Sequence, residues 1–333
     1  MVIAFTTQLP REGFRRLEGE HEMAFPAGEL AGASDWQRTA YQQAEVLVST
    51  FDYPVPRTII EAMPKLRLIA NFGAGFNNID LAVCRERGIG VTNTPQPVIE
   101  PTAELAFALM IDIARRVSEF DRKMRQTSPH PSAQELEEGI RFGVMRNLSH
   151  SLYGKTLGII GMGRIGQSLA RRAIASGMRV IYHNRHRLPV EIEEKYDAVY
   201  TDFQALLQDS DYVSLNLPYT PEVHHLIGKP ELGMMKRTAY LINTARGAHV
   251  DEAALIEALR SGIIAGAALD VYEHEPAVSP ELFALENVVL SPHTGTGTRE
   301  GRIAMCENVT DNIIAFAQNN MQGMNIVLGE IKN

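Results

Sequence analysis

Across most of the chain, short apolar runs alternate with longer stretches in which apolar residues return every three or four positions. The runs VIAF, EVLVST, LRLIANFG and GIGVTNTP, and later KTLGIIG, MRVIYH, YVSLNLP, AYLINT, GAALD and VVLSP, predict buried strands of parallel sheets. The amphipathic stretches between them predict covering helices. Pro95, Pro97 and Pro101 punctuate a crossing segment. Beyond it, TAELAFALMIDIARRVSEFDRKMRQ predicts one long helix over 102–126, with Thr102 at its start and Glu104 in the first turn. Residues 127–153 show little periodicity and read as a surface excursion that either wraps a partner subunit or is a plain long loop. A second α/β unit starts at Lys155 and ends near residue 294. The last amphipathic stretch, REGRIAMCENVTDNIIAFAQNN, follows the completed second sheet and is expected to pack back on the first unit.

Composition narrows the class. The chain has 333 residues, more than one hydrophobic core ordinarily serves, which fits two domains. A net charge of −8 without a basic stripe argues against nucleic acid as a partner. No apolar run approaches the roughly 18 residues of a membrane span. The opening MVIAFTTQLP reads as a first strand rather than a signal peptide. Cys84 and Cys306 stand alone and far apart, so free thiols in a reducing, cytoplasmic setting are expected. No metal is expected either: the ten histidines show no HExxH spacing, and His224 and His225, adjacent on a strand, would face opposite sides.

Residues 155–177, KTLGIIGMGRIGQSLARRAIASG, place Gly161-x-Gly163-x-x-Gly166 between a strand and a helix. Glycine at 161 allows the tight turn, at 163 the close approach of a pyrophosphate, and at 166 close helix–strand packing. Gly161, Met162, Gly163, Arg164, Ile165 and Gly166 are therefore the expected dinucleotide loop, with the helix N-terminus offering N–H groups to the phosphates. The next strand ends in Asn184, Arg185, His186 and Arg187, where a site for NAD would place an acid on the ribose 2′-hydroxyl. An acid repels a 2′-phosphate and arginine accepts one, so NADP(H) is expected ahead of NAD(H). Leu217 and Pro218, and Thr244 and Ala245, are small or apolar strand-end residues against which the adenine and nicotinamide rings can lie. Asp270 ends GAALD and either meets the nicotinamide side or caps a loop.

Three polar residues, Arg246, Glu275 and His293, follow successive apolar runs and are expected at the carboxyl edge of the sheet, where open α/β sheets hold ligands. A guanidinium can hold a carboxylate and polarise the carbonyl beside it. An imidazole moves protons near neutral pH, and a nearby carboxylate favours the imidazolium and fixes its ring. In the first unit, Gly73-Ala74-Gly75 follows a strand, and small residues there expose backbone N–H groups to an anion. Phe51 either lines a substrate side pocket or is an ordinary packed aromatic. In the link TGTGT after His293, Thr294, Gly295 and Thr296 either shape the floor or hinge of the site or mark only a mobile junction.

With these motifs in one order, NFGAGFNNIDLAVCRERGIGVTNTP, ELAFALMIDIARR, the Gly161 loop, INTARG, DVYEHEP and SPHTG, nearly the whole chain resembles the D-isomer-specific 2-hydroxy acid dehydrogenases. The arginine-bearing strand end looks most like the glyoxylate/hydroxypyruvate reductase branch. The resemblance implies Arg246 as substrate arginine, Glu275 as acid, His293 as proton donor, and Ala74 and Gly75 as ligands of the substrate carboxylate. It also implies a homodimer and reduction of a small 2-oxo acid. The expected architecture is α/β: two Rossmann-like domains with parallel sheets and an active-site cleft between them. One domain spans 1–98 plus 299–333 and binds substrate; the other spans 99–298 and binds NAD(P). The alternatives are an NAD-linked D-lactate or phosphoglycerate-type dehydrogenase, or a non-catalytic NAD(H)-sensing module like the corepressors of this fold.

Overall fold

The computed structural model describes residues 1–26, 35–126 and 148–328. The chain divides into two compact units, Met1–Pro101 with Thr296–Asn333, and Thr102–Gly295. The divisions expected from sequence were at 98 and 298.

The first unit is built on β1 (Val2–Phe5), β2 (Glu22–Ala24), β3 (Val46–Thr50), β4 (Leu68–Phe72), β5 (Gly90–Thr92) and β13 (Ile326–Leu328), in the order β13-β5-β4-β3-β1-β2. All neighbours pair in parallel except β13, which runs antiparallel to β5. Every residue of β3 and β4 is buried, as a strand covered on both faces requires. The helix Arg299–Ala317 returns to this unit as expected. It packs on a 3-10 turn, Arg11–Leu17, that periodicity did not predict. A Cβ on Gly13 would lie 2.3 Å from the Cys306 Cβ, and Thr310 Oγ1 donates to the Gly13 carbonyl at 2.8 Å. Only glycine permits an approach this close. Burial pushes the Cys84 and Cys306 thiols up to about 11 and about 12, so both stay protonated at neutral pH.

The second unit holds β6 (Thr156–Ile160), β7 (Arg179–His183), β8 (Ala198–Tyr200), β9 (Tyr212–Leu215), β10 (Tyr240–Asn243), β11 (Gly266–Leu269) and β12 (Val288–Leu290). They form one parallel sheet in the order β12-β11-β10-β9-β6-β7-β8. Alternate side chains feed two cores: Val213, Leu215 and Leu241 join one buried cluster, Tyr212 and Ile242 the other. Because all the strands are parallel, their carboxyl ends share one edge.

The long helix expected over 102–126 is corrected. The chain enters a helix at Ile99 and leaves it at Arg115; Arg116 adopts φ 57, and a second helix runs Val117–Gln126. The break is held from outside: Ser118 N donates to Asp112 Oδ1 at 2.7 Å, and Arg116 pairs with Glu119 at 2.5 Å. Periodicity continues through the break, which is why sequence alone missed it. Of the expected excursion 127–153, residues 127–147 lie outside the described residues. Among those described, no helix is long and apolar enough to cross a membrane.

Candidate active site

The carboxyl edge of the second unit's sheet collects most of the residues singled out from sequence. After β6 the chain turns through Gly161 at φ 94, where a Cβ would also lie 2.7 Å from the Leu217 amide nitrogen. Both conditions demand glycine. A Cβ on Gly166 would lie 2.6 Å from the Gly161 carbonyl oxygen, which brings the helix Arg164–Ala175 tight against β6. Gly163, by contrast, faces open space: nothing lies within 4 Å of where its Cβ would be. A loop closed on its protein side and open at its tip, leading into a helix N-terminus, fits a pyrophosphate.

The end of β7 is more differentiated than its sequence suggested. Asn184 Oδ1 accepts from Met162 N at 2.7 Å, so this side chain clasps the glycine loop. Arg187 makes a two-pronged pair with Glu193, at 2.8 and 2.7 Å, and Glu193 also accepts from the Tyr182 hydroxyl. Its guanidinium is already engaged. Arg185 and His186 are exposed, and among the described residues no hydrogen bond holds the Arg185 guanidinium. Leu217 is half-buried and Pro218 exposed at the end of β9, while Thr244 and Ala245 are buried after β10.

Arg246 follows them, its position set by a residue that sequence reasoning missed. Asn243 Nδ2 donates to the Arg246 carbonyl at 2.9 Å, and Asn243 Oδ1 accepts from Ala245 N at 3.0 Å. Only its place as the last residue of β10 could have marked it. Gly247 then passes so close to the Tyr272 backbone, 1.9 Å from where its Cβ would be, that no side chain fits. Burial pulls the Arg246 guanidinium below its usual range, while the Glu275 carboxylate acts against that.

His293 Nδ1 and Glu275 Oε2 are 2.7 Å apart. Glu275 Oε1 accepts from Tyr272 N at 2.9 Å, which fixes the carboxylate's other oxygen. Burial raises the Glu275 carboxyl, but the His293 hydrogen bond and charge, the Tyr272 amide and the Arg246 cation outweigh it, and the group sits below the usual range. With Glu275 on Nδ1, proton transfer by this ring would run through Nε2.

Asp270 explains how the histidine is aimed. Its buried carboxylate accepts from Ser291 Oγ (2.6 Å) and Thr294 N (2.8 Å) through Oδ1, and from Gly295 N (2.8 Å) through Oδ2. Its backbone carbonyl accepts from His293 N at 2.9 Å. Of the two roles left open for Asp270, these contacts are those of the loop anchor. They hold His293 at φ 53, a left-handed conformation that a non-glycine residue rarely adopts.

In the first unit, the carbonyls of Ala74 and Gly75 are drawn aside by asparagines. Asn93 Nδ2 donates to Ala74 O at 2.8 Å, and Asn71 Nδ2 to Gly75 O at 2.7 Å. Tying back the oxygens orients this turn, and no described group accepts from the two amide N–H groups. That is the arrangement an anion needs.

The adjacent histidines need a correction. His224 and His225 are not on a strand: His225 has φ 51, and the two rings stack at 3.9 Å on one side of the chain. With Glu273 they form a group whose possible ligand atoms all lie within 4.8 Å of one another. His225 Nε2 and Glu273 Oε1, at 2.6 Å, already satisfy each other as a hydrogen-bonded pair.

Residues 107–295 match the D-isomer specific 2-hydroxyacid dehydrogenase, NAD binding domain. The chain belongs to this family. It is 44% identical over 316 residues to a glyoxylate reductase of Thermococcus litoralis, covering 95% of this chain and 93% of that one. A glyoxylate reductase structure from Paecilomyes thermophila superposes with a TM-score of 0.82 at 33% identity, covering 98% and 97% of the two chains. An NADPH-dependent glyoxylate/hydroxypyruvate reductase from Sinorhizobium meliloti, solved with NADP and malonate, gives 0.79 at 31% identity over 95% and 93%. This 2-hydroxyacid dehydrogenase is thus an NAD(P)-dependent oxidoreductase that uses a nicotinamide cofactor.

Proposed function

We propose that this dehydrogenase reduces a small 2-oxo acid of the glyoxylate or hydroxypyruvate type to the D-2-hydroxy acid, with NADP(H) preferred over NAD(H). The observation that carries the reading is the 2.7 Å His293–Glu275 pair, on strand-end loops of the same sheet edge as Arg246 and the Gly161 loop. In this reading Gly161 through Gly166 hold the cofactor's pyrophosphate and Arg185 its 2′-phosphate. When bound, the reduced nicotinamide supplies a hydride to the substrate carbonyl carbon. Arg246 binds the substrate carboxylate and draws electron density toward the carbonyl oxygen. His293 Nε2 gives that oxygen its proton, and Glu275 holds the ring in place through Nδ1. In the oxidative direction neutral His293 takes the proton back. The amides of Ala74 and Gly75 offer N–H donors to the carboxylate.

A homodimer belongs to the same reading. Ile111, Val117 and Met124 are exposed apolar side chains on the helices Ile99–Arg115 and Val117–Gln126, and the exposed Leu148 lies beside them, its carbonyl accepting from Arg116 at 3.2 Å, a surface suited to a second copy. Sedimentation at micromolar concentration checks it.

The deciding experiment measures kcat/KM for glyoxylate, hydroxypyruvate, pyruvate and bulkier 2-oxo acids with NADPH and with NADH. Turnover of the small acids, faster with NADPH, is expected. Failure of every acid to oxidise either cofactor would leave a sensing module instead; NADH preference with pyruvate would favour a D-lactate-type enzyme.

A further inference from the structure

Arg302 is a half-buried cation that the mechanism above does not use. It lies in the first turns of the helix Arg299–Ala317, with its guanidinium over the Phe51 and Phe72 rings, 5.5 Å from each centroid. Phe51 follows β3, and Phe72 ends β4 immediately before the Gly73–Gly75 turn. A Cβ on Gly73 would lie 3.0 Å from the Phe51 Cβ, so ring, turn and cation are packed at one end of one sheet.

Among the described residues, no hydrogen bond or ion pair engages the guanidinium, and none of its nitrogens is sealed from solvent. Its nearest opposing charge, the exposed Asp52, acts only at a distance. Burial pulls its pKa below the usual arginine range. Two aromatic faces fix the plane of a guanidinium without occupying its N–H fork. A half-buried cation whose five donors no described group engages attracts an oxygen acceptor. The other polar groups at this edge are spent differently: Asn71 and Asn93 on the turn's carbonyls, and Thr94 Oγ1 on Gly73 N.

We propose that Arg302 is a specificity-determining residue that binds an oxygen on C3 of the substrate, selecting 2-oxo acids with a C3 hydroxyl or carboxylate over those with a plain methyl. The Ala74–Gly75 amides take the C1 carboxylate, and Arg302 takes the substituent two carbons away. Phe51 and Phe72 hold the guanidinium and shape the apolar wall beside it. This rests on the 2-oxo acid reading for the identity of the ligand.

The test compares wild type with Arg302→Met, which keeps the stem and removes the charge, and with Arg302→Lys. In the NADPH holoenzyme, Arg302→Met is expected to lower kcat/KM for hydroxypyruvate about 10- to 100-fold, the worth of a hydrogen bond to a charged group. The hydroxypyruvate-to-pyruvate ratio should collapse toward one, through KM more than kcat, with partial rescue in Arg302→Lys. An unchanged ratio in a folded Arg302→Met protein overturns the proposal while leaving the 2-oxo acid reading intact. Should that variant not fold, calorimetric titration of the wild-type NADPH complex with tartronate and with lactate decides. Tighter tartronate supports the C3 subsite, and equal affinities overturn it. If no 2-oxo acid is turned over but tartronate binding depends on Arg302, the reductase reading fails and the subsite stands.

Discussion

At the scale of single residues, the site separates groups that act from groups that are already engaged. Arg185 and Arg187 look equivalent in the sequence, yet Arg187 is held by Glu193 on two prongs and Arg185 is not held. Arg185→Asp is therefore expected to raise KM for NADPH at least tenfold more than KM for NADH; equal losses would remove the 2′-phosphate assignment. The Glu275 pairing orients His293 through Nδ1. His293→Gln is expected to lower kcat for the reduction about 10²- to 10⁴-fold with a much smaller change in KM, the signature of a lost general acid. Steady-state rates with 2-oxo acid varied at saturating cofactor check this.

At the scale of elements, the strand-end loop 291–295 depends on one buried carboxylate. Asp270→Asn puts an amide where Ser291 Oγ, Thr294 N and Gly295 N all donate, and is expected to cost about 1.5–3 kcal/mol of stability. It should also lower kcat through misdirection of His293; a variant that melts earlier but keeps the wild-type kcat would show that the loop aims nothing. The same scale shows what was legible in the sequence. Buried strands announce themselves as apolar runs, and Gly161, Gly163 and Gly166 differ in the ways their spacing implied. The Arg246, Glu275 and His293 strand ends were visible because a polar residue after an apolar run is a local signal. Contacts between distant positions were not visible. Asn184 on Met162, Asn243 on the Arg246 turn and Asn93 on Ala74 are long-range or turn-specific bonds from unremarkable residues. The break at Arg116 was hidden because helical periodicity runs straight through it.

At the scale of the whole molecule, stability carries the cost of polar groups buried beside the site. His249 is fully buried, and among the described residues no group meets strict hydrogen-bond geometry at either ring nitrogen. Burial brings it down to about 4, opposed by the nearby Pro218 and Arg246 backbone and helped by a smaller push from the Arg246 cation. An unfolded histidine titrates near 6.5, so between that value and about 4 the unfolded chain binds a proton that the folded chain refuses. Stability therefore falls as pH drops through this window, and chemical denaturation between pH 7 and 4.5 should show it. His249→Gln should flatten that slope; an unchanged slope would mean that other groups carry it. His293 imposes a different charge on the fold. A left-handed β-carbon residue costs about 1–2 kcal/mol, and asparagine bears that conformation more easily than histidine does. His293→Asn is thus expected to melt slightly higher than the natural protein while turning over almost nothing, an inverse relation that a thermal scan beside an activity assay will reveal. Where that relation holds, thermostability screens run without an activity readout would select against the enzyme, because at this position the most durable molecule is an inert one.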